Sequence, residues 1–166
     1  MNQPGQVYHN SFNQASHDIL LNYEQEGGQY VLFQFDKDLS KARCINEKRG
    51  DALAAFFISK DRMCILDKSH DVYVSSFDGS NTKKWPIIKK NLTKVDNIYP
   101  GPLGKILVHS DNECLFMYDL SARKVLHEVA ITDVRRVHWS STFNHCVVIT
   151  KTSIYVLNKS LGIINS

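Results

Sequence analysis

Long apolar runs are missing from this 166-residue chain. Each hydrophobic stretch stops well short of the roughly 18 residues a membrane helix needs. The opening Met1-Asn2-Gln3-Pro4-Gly5-Gln6 has no basic stretch followed by an apolar one, so it does not read as a secretory signal. Cysteine is scarce and scattered. Cys44, Cys64, Cys114 and Cys146 form no CxxC pair, which argues against a zinc ribbon or a dithiol redox motif. Cys64, Cys114 and Cys146 lie inside apolar runs, where a thiol behaves as a small hydrophobe. Basic excess is also small: 20 Lys and Arg stand against 17 Asp and Glu. Nucleic-acid readers carry a larger and more clustered excess. The expectation is a reduced, non-secreted protein that binds no nucleic acid.

Catalytic signatures are missing as well. No GxSxG elbow, GxxxxGK[ST] phosphate loop or HExxH helix occurs, so the nucleophile, phosphate and zinc-hydrolase readings lack their motifs. Seven histidines are present (His9, His17, His70, His109, His127, His138 and His145), and no two are four apart. They read as structural or surface groups. Asp36 and Asp38 read as turn residues, where a carboxylate accepts backbone hydrogen bonds. No catalytic residue, metal, cofactor or small-molecule substrate is expected.

What the chain does contain is short β-rich runs between polar turns. Residues 105–126 show the unit best. Ile106, Leu107 and Val108 form one run, residues 110–113 a polar turn, and a second run ends at Tyr118-Asp119. Such runs make an antiparallel meander. The unit recurs, and an apolar residue followed by Asp or Asn marks its third strand: Phe35-Asp36, Phe77-Asp78, Tyr118-Asp119 and Leu157-Asn158. Phe35, Phe77, Tyr118 and Leu157 fall 42, 41 and 39 residues apart. A period of about 40–45 residues with four strands per unit is the mark of a WD-repeat β-propeller. The predicted fold is all-β. One partial propeller domain spans residues 1–166, with units at about 7–46, 52–90, 95–130 and 134–166. In this reading the apolar residue of each mark packs between neighbouring units, and the Asp closes the turn toward the outer strand. Outer strands are predicted at residues 39–45, 85–88 and 161–164.

The repeats resemble the second WD-repeat propeller of coatomer α subunits, from the COPI vesicle coat. The likeness is clearest at Ala55-Phe56-Phe57-Ile58 through Leu66-Asp67 and His70. It is also clear at Val95-Asp96-Asn97-Ile98-Tyr99 with Tyr118-Asp119, and at Val134-Arg135-Arg136-Val137-His138-Trp139. It implies an adaptor and scaffold role in Golgi–endoplasmic reticulum transport, in the cytoplasm and peripherally on Golgi and COPI vesicle membranes. Partners would be other coatomer subunits and the remainder of its own propeller. About four four-stranded antiparallel blades would form a slice of a larger ring of about seven, and the native protein is expected to be longer. Two other readings stay open. One is a WD-repeat scaffold of a different complex. The other is a propeller enzyme, for which the starts of the inner strands (Val7, Ala54, Val95, Val134) offer no converging polar set.

Two charged clusters are candidate binding surfaces. Lys83, Lys84, Lys89 and Lys90 flank Trp85-Pro86-Ile87-Ile88. They would either meet an anionic surface or guard the edge of an outer strand against pairing, the reading favoured here. Arg135 and Arg136 would meet an acidic peptide, or simply begin an inner strand whose Val134, Val137 and Trp139 are shared between its two faces.

Overall fold

The computed structural model describes residues 7–13, 18–23, 28–35, 38 and 44–166. Every element it describes is a strand, and no helix long and apolar enough to cross a membrane occurs among the described residues. The chain divides into two compact units, Met1–Pro86 and Ile87–Ser166.

The first unit holds two sheets, each an antiparallel meander in chain order. Strands β1 (Val7–Asn13), β2 (Asp18–Tyr23), β3 (Gln29–Phe35) and β4 (Cys44–Asp51) form one. Strands β5 (Ala54–Phe57), β6 (Arg62–Leu66), β7 (Val72–Ser76) and β8 (Lys83–Lys84) form the other. Tyr30 and Leu32 of β3 meet Ala52, Ala55, Met63 and Ile65 in a shared core, with Phe57, Tyr73 and Phe77 at its margin. Phe77 meets Phe57 edge-on at 5.1 Å between ring centroids, a favoured aromatic geometry. The backbone N–H of Phe57 also donates to Ser11 Oγ at 3.1 Å, tying β5 to β1. Gly28 sits at φ +109°, and a Cβ there would stand 2.3 Å from the Ala52 carbonyl oxygen. Only glycine allows that approach.

The outer strands differ from expectation. The first is Cys44–Asp51, in register from Phe35↔Cys44 to Gln29↔Asp51. It extends well past Ile45, and residues 39–43 of the expected strand lie outside the described residues. Glu47, Lys48 and Arg49 make this strand polar, as an exposed edge allows, so an apolar pattern could not trace it. The second outer strand is Lys83–Lys84 rather than residues 85–88. The Trp85 N–H still reaches the Val72 carbonyl at 2.7 Å. Pro86 then has no N–H to continue the ladder.

The second unit repeats the plan. Strands β9 (Val95–Pro100), β10 (Lys105–Ser110), β11 (Cys114–Asp119) and β12 (Lys124–Ala130) form a third sheet. Strands β13 (Val134–Trp139), β14 (His145–Thr150), β15 (Ile154–Asn158) and β16 (Ile163–Asn165) form a fourth. The β10–β11 hairpin turns on Asp111 and Asn112, at φ 53° and 51°, and Glu113 N–H closes it on the Ser110 carbonyl at 3.0 Å. Two consecutive positive φ values match the right-handed twist of the flanking strands, and Asp and Asn tolerate them.

A continuous apolar layer lies between the third and fourth sheets. Leu107, Leu115 and Met117 of one sheet pack with Val137, Val148 and Leu157 of the other. Three polar side chains stitch the same seam. Tyr99 donates its hydroxyl to the Val134 carbonyl at 3.1 Å, and Trp139 Nε1 donates to the Pro100 carbonyl at 2.9 Å. Asn112 Oδ1 accepts from the Asp133 N–H at 3.0 Å. Leu157, the apolar half of the fourth repeat mark, is buried in this layer.

The polar half of each of the three described marks closes a turn. Asp119 accepts from the Ala122 N–H at 2.8 Å. Asp78 accepts from the Ser80 N–H at 2.9 Å. Asn158 accepts from the N–H groups of Ser160 and Gly162, both at 2.9 Å. Asn158 therefore performs the task of the Asp it replaces. Asp36 lies outside the described residues. Removing one such acceptor by Asp119→Ala is expected to lower stability by about 1 kcal/mol, read as a shift of the urea midpoint. Asp119→Asn, which keeps the accepting oxygen, is expected to recover most of it.

Candidate functional site

The four lysines of the 83–90 run are placed differently from one another. Lys84 is paired with Asp71 at 2.6 Å, and the Asp71 hydrogen bond raises its pKa. Lys83 is exposed beside it on the two-residue β8. In the second unit, Lys89 Nζ lies 3.0 Å from Glu128 and 5.5 Å from the centre of the Phe116 ring. The bond to Glu128 raises the Lys89 pKa. Lys90 is exposed. Two of the four lysines are thus engaged in ion pairs, one in each unit.

The segment carrying Lys89 is itself anchored. The backbone N–H of Ile88 donates to the buried Tyr118 hydroxyl at 3.1 Å. This holds residues 88–90 beside β12, and a groove of about 490 Å³ opens between them. Ile88, Lys89 and Lys90 line one side. Arg123, Lys124, Val125, Leu126, His127 and Glu128 supply the other. Among the described residues, strand β12 is the last of its sheet and bonds to β11. Leu126 is the extra residue of a bulge, because Met117 faces His127 and Tyr118 faces Val125. Residues 123–126 belong to the repeat pattern and carry no binding motif of their own, and only the fold brings residues 123–128 to the 88–90 segment.

Arg135 and Arg136 are exposed on β13, and the register slips between Val134 and Arg136. Arg135 is the extra residue of that bulge. A bulge shifts the alternation by one, so Val134 and Val137 both enter the apolar layer and Trp139 packs against it. The expected division of these three side chains between two faces is corrected accordingly. Arg136 stands opposite Ile149, and His138 opposite Val147, on the sheet's other face. Ile154, Ile163 and Ile164 of the fourth sheet are exposed. The side chains of β1, where the corresponding face of the first sheet would begin, lie mostly outside the described residues.

Of the histidines, His109 is buried, and its Nε2 lies 3.2 Å from the Ile131 carbonyl. A carbonyl can only accept, so Nε2 carries the proton. Burial lowers the imidazole pKa below its ordinary 6.5, partly offset by the Ile131 carbonyl and by Asp96 and Asp133. The folded chain therefore resists a proton that the unfolded chain takes up. Stability is expected to be full above pH 6.5, and to decline below it until the depressed folded value is passed. Urea midpoints measured across that range should fall less steeply in His109→Gln. His17 lies outside the described residues, as does the side chain of His9. Among the described residues, no three His, Cys, Asp or Glu side chains gather as metal ligands.

Comparison with known proteins bears on these features. The family described as COPA/B second beta-propeller matches residues 2–165. Coatomer subunit alpha of Dictyostelium discoideum is 33% identical over 152 residues, covering 91% of this chain and 12% of that protein. Coatomer subunit alpha-1 of Arabidopsis thaliana is 29% identical over 154 residues, with the same coverage of 91% and 12%. The chain therefore spans about 12% of the length of these curated relatives. Among solved structures, the β-propeller domain of Myceliophteria thermophila Cps50 (Swd1) superposes with a TM-score of 0.67 at 9% identity, covering 95% of this chain and 57% of that one. The WD40 domain of Toxoplasma gondii coronin gives 0.63 at 13% identity, covering 99% and 46%. At such identities these two structures speak for the fold alone: four-stranded antiparallel sheets of a WD-type propeller. With its repeat marks, its stitched sheets and a family match over nearly its whole length, the chain belongs to the COPA/B second beta-propeller family.

Proposed function

We propose that this chain is the propeller portion of a COPI coat subunit, acting in Golgi–endoplasmic reticulum transport through protein–protein contacts. The observation that carries the reading is the family match over residues 2–165. The architecture is in keeping with it. Tyr99 and Trp139 join the third and fourth sheets through hydrogen bonds, and the buried His109 holds the connection between β12 and β13 at the Ile131 carbonyl. A scaffold needs such rigidity, and no catalytic role is proposed.

In this reading the protein works in the cytoplasm and lies peripherally on Golgi and vesicle membranes, held there by the other coat subunits. Residues 1–166 form part of one propeller, in units of about 7–46, 52–90, 95–130 and 134–166. Lys84 guards the short edge strand β8 through its pair with Asp71, so a direct membrane role for the 83–90 lysines is not favoured. The test is affinity capture of the tagged full-length protein from cytosol, followed by identification of what co-purifies at stoichiometric amounts. Coatomer subunits are expected. A stable, folded bait that captures a different complex instead would replace the coat reading with that of another WD-repeat scaffold.

A further inference from the structure

The groove beside β12 has a use that neither sheet packing nor scaffolding requires. Its charge is one-sided. Lys90, Arg123 and Lys124 stand along the rim, and Glu128, the one acidic residue of the lining, pairs with Lys89 at 3.0 Å. Its floor is apolar, with Ile88 57% exposed and Val125 and Leu126 half-buried. Its wall is an edge strand, whose outward N–H and C=O groups face no neighbouring strand among the described residues. An edge of that kind is a template for an added strand. The groove is open along its length, unlike the enclosed apolar cavities that hold small ligands.

We propose that this groove docks an acidic peptide segment in extended conformation, which pairs along the outer edge of β12. Main-chain bonds to the edge would supply affinity, and alternate side chains would supply selectivity. In an added strand, side chains alternate between the two faces. Acidic residues on one face meet Lys90, Arg123 and Lys124, and an apolar residue on the other meets Ile88 and Val125. Charge complementarity chooses the sign of the partner. The Lys89–Glu128 pair and the Ile88–Tyr118 bond hold the far wall in place before the peptide arrives. The site does not depend on membership of a coat, so loss of coat capture would leave it standing.

The probe is a fluorescein-labelled peptide alternating Glu with Val, as long as the seven residues of β12. It is titrated with the 166-residue chain and followed by fluorescence anisotropy. Saturable binding is expected at low salt, weakening as salt screens the exposed charges. The triple variant Lys90→Glu, Arg123→Glu, Lys124→Glu should bind at least about tenfold more weakly, with its thermal midpoint unchanged. The control Lys151→Glu, Lys159→Glu should bind as wild type. A probe with proline at a central position should lose most of its affinity, since proline cannot donate to the ladder. Equal binding by the triple variant would overturn the site. Undiminished binding of the proline probe would overturn strand pairing. Failure of the peptide, alongside binding of phosphatidylserine vesicles or RNA through the same three residues, would replace the partner class.

Discussion

Leu107→Ala is expected to destabilise the second unit by about 2–5 kcal/mol. Leu107 lies on the central strand pair of its sheet, opposite Tyr99 on β9 and Met117 on β11. It is fully buried in the layer that joins the third and fourth sheets. Cutting it back removes packing from both sheets at once. The seam cannot close on the gap, because Tyr99 and Trp139 fix its spacing through hydrogen bonds to Val134 and Pro100. Chemical denaturation of wild type and variant measures the loss. Leu107→Met keeps the volume and should cost less than about 1.5 kcal/mol. A Leu107→Ala loss of under about 1 kcal/mol would mean that the layer relaxes, and that the hydrogen bonds do not hold the two sheets at a fixed distance.

The second large effect concerns thiol reactivity. Burial pushes the Cys64 thiol up to about 12 and the Cys146 thiol up to about 11. The thiolate is the reactive form. At pH 8 a shift from the ordinary 9.0 to about 12 leaves about a thousandfold less thiolate. Both side chains are also closed to solvent, so reagent access compounds the loss. Cys44 is exposed at the start of β4. Timed alkylation with iodoacetamide, read by peptide mass spectrometry, should label Cys44 first and leave Cys64 and Cys146 until the chain unfolds. Labelling of Cys64 within about tenfold of the Cys44 rate would show that the second sheet opens readily.

Much of the fold was legible because inner strands are apolar and recur. Ile106, Leu107 and Val108, or Val72 and Val74, announce strands by composition. Phe77-Asp78 and Tyr118-Asp119 set the period. What composition hid was the polar periphery. Glu47, Lys48 and Arg49 form a strand without an apolar signature, and Pro86 stops the ladder inside the 85–88 segment that reads as an outer strand. Bulges were hidden too. Nothing in Val134-Arg135-Arg136-Val137 declares that Arg135 is the extra residue, because the register is set by Thr150 and Ile149 on the partner strand. The basic residues split the same way. Lys89 and Lys90 stood out as part of a charged run. Arg123 and Lys124 read only as part of a repeat strand, and the groove they share with the lysines exists only once β12 has folded back beside residues 88–90.

The Asp and Asn side chains that close the third-strand turns have a consequence for how such a chain tolerates change. Each oxygen binds backbone two to four residues ahead of itself, so the bend is made from local parts. The strand before it keeps its register whatever follows. Length can then be gained or lost downstream, between one bend and the next repeat, without dislodging the apolar layer. The unequal spacing of 42, 41 and 39 residues is what a set of self-closing joints permits. Insertions should therefore be accepted after these bends and rejected before them.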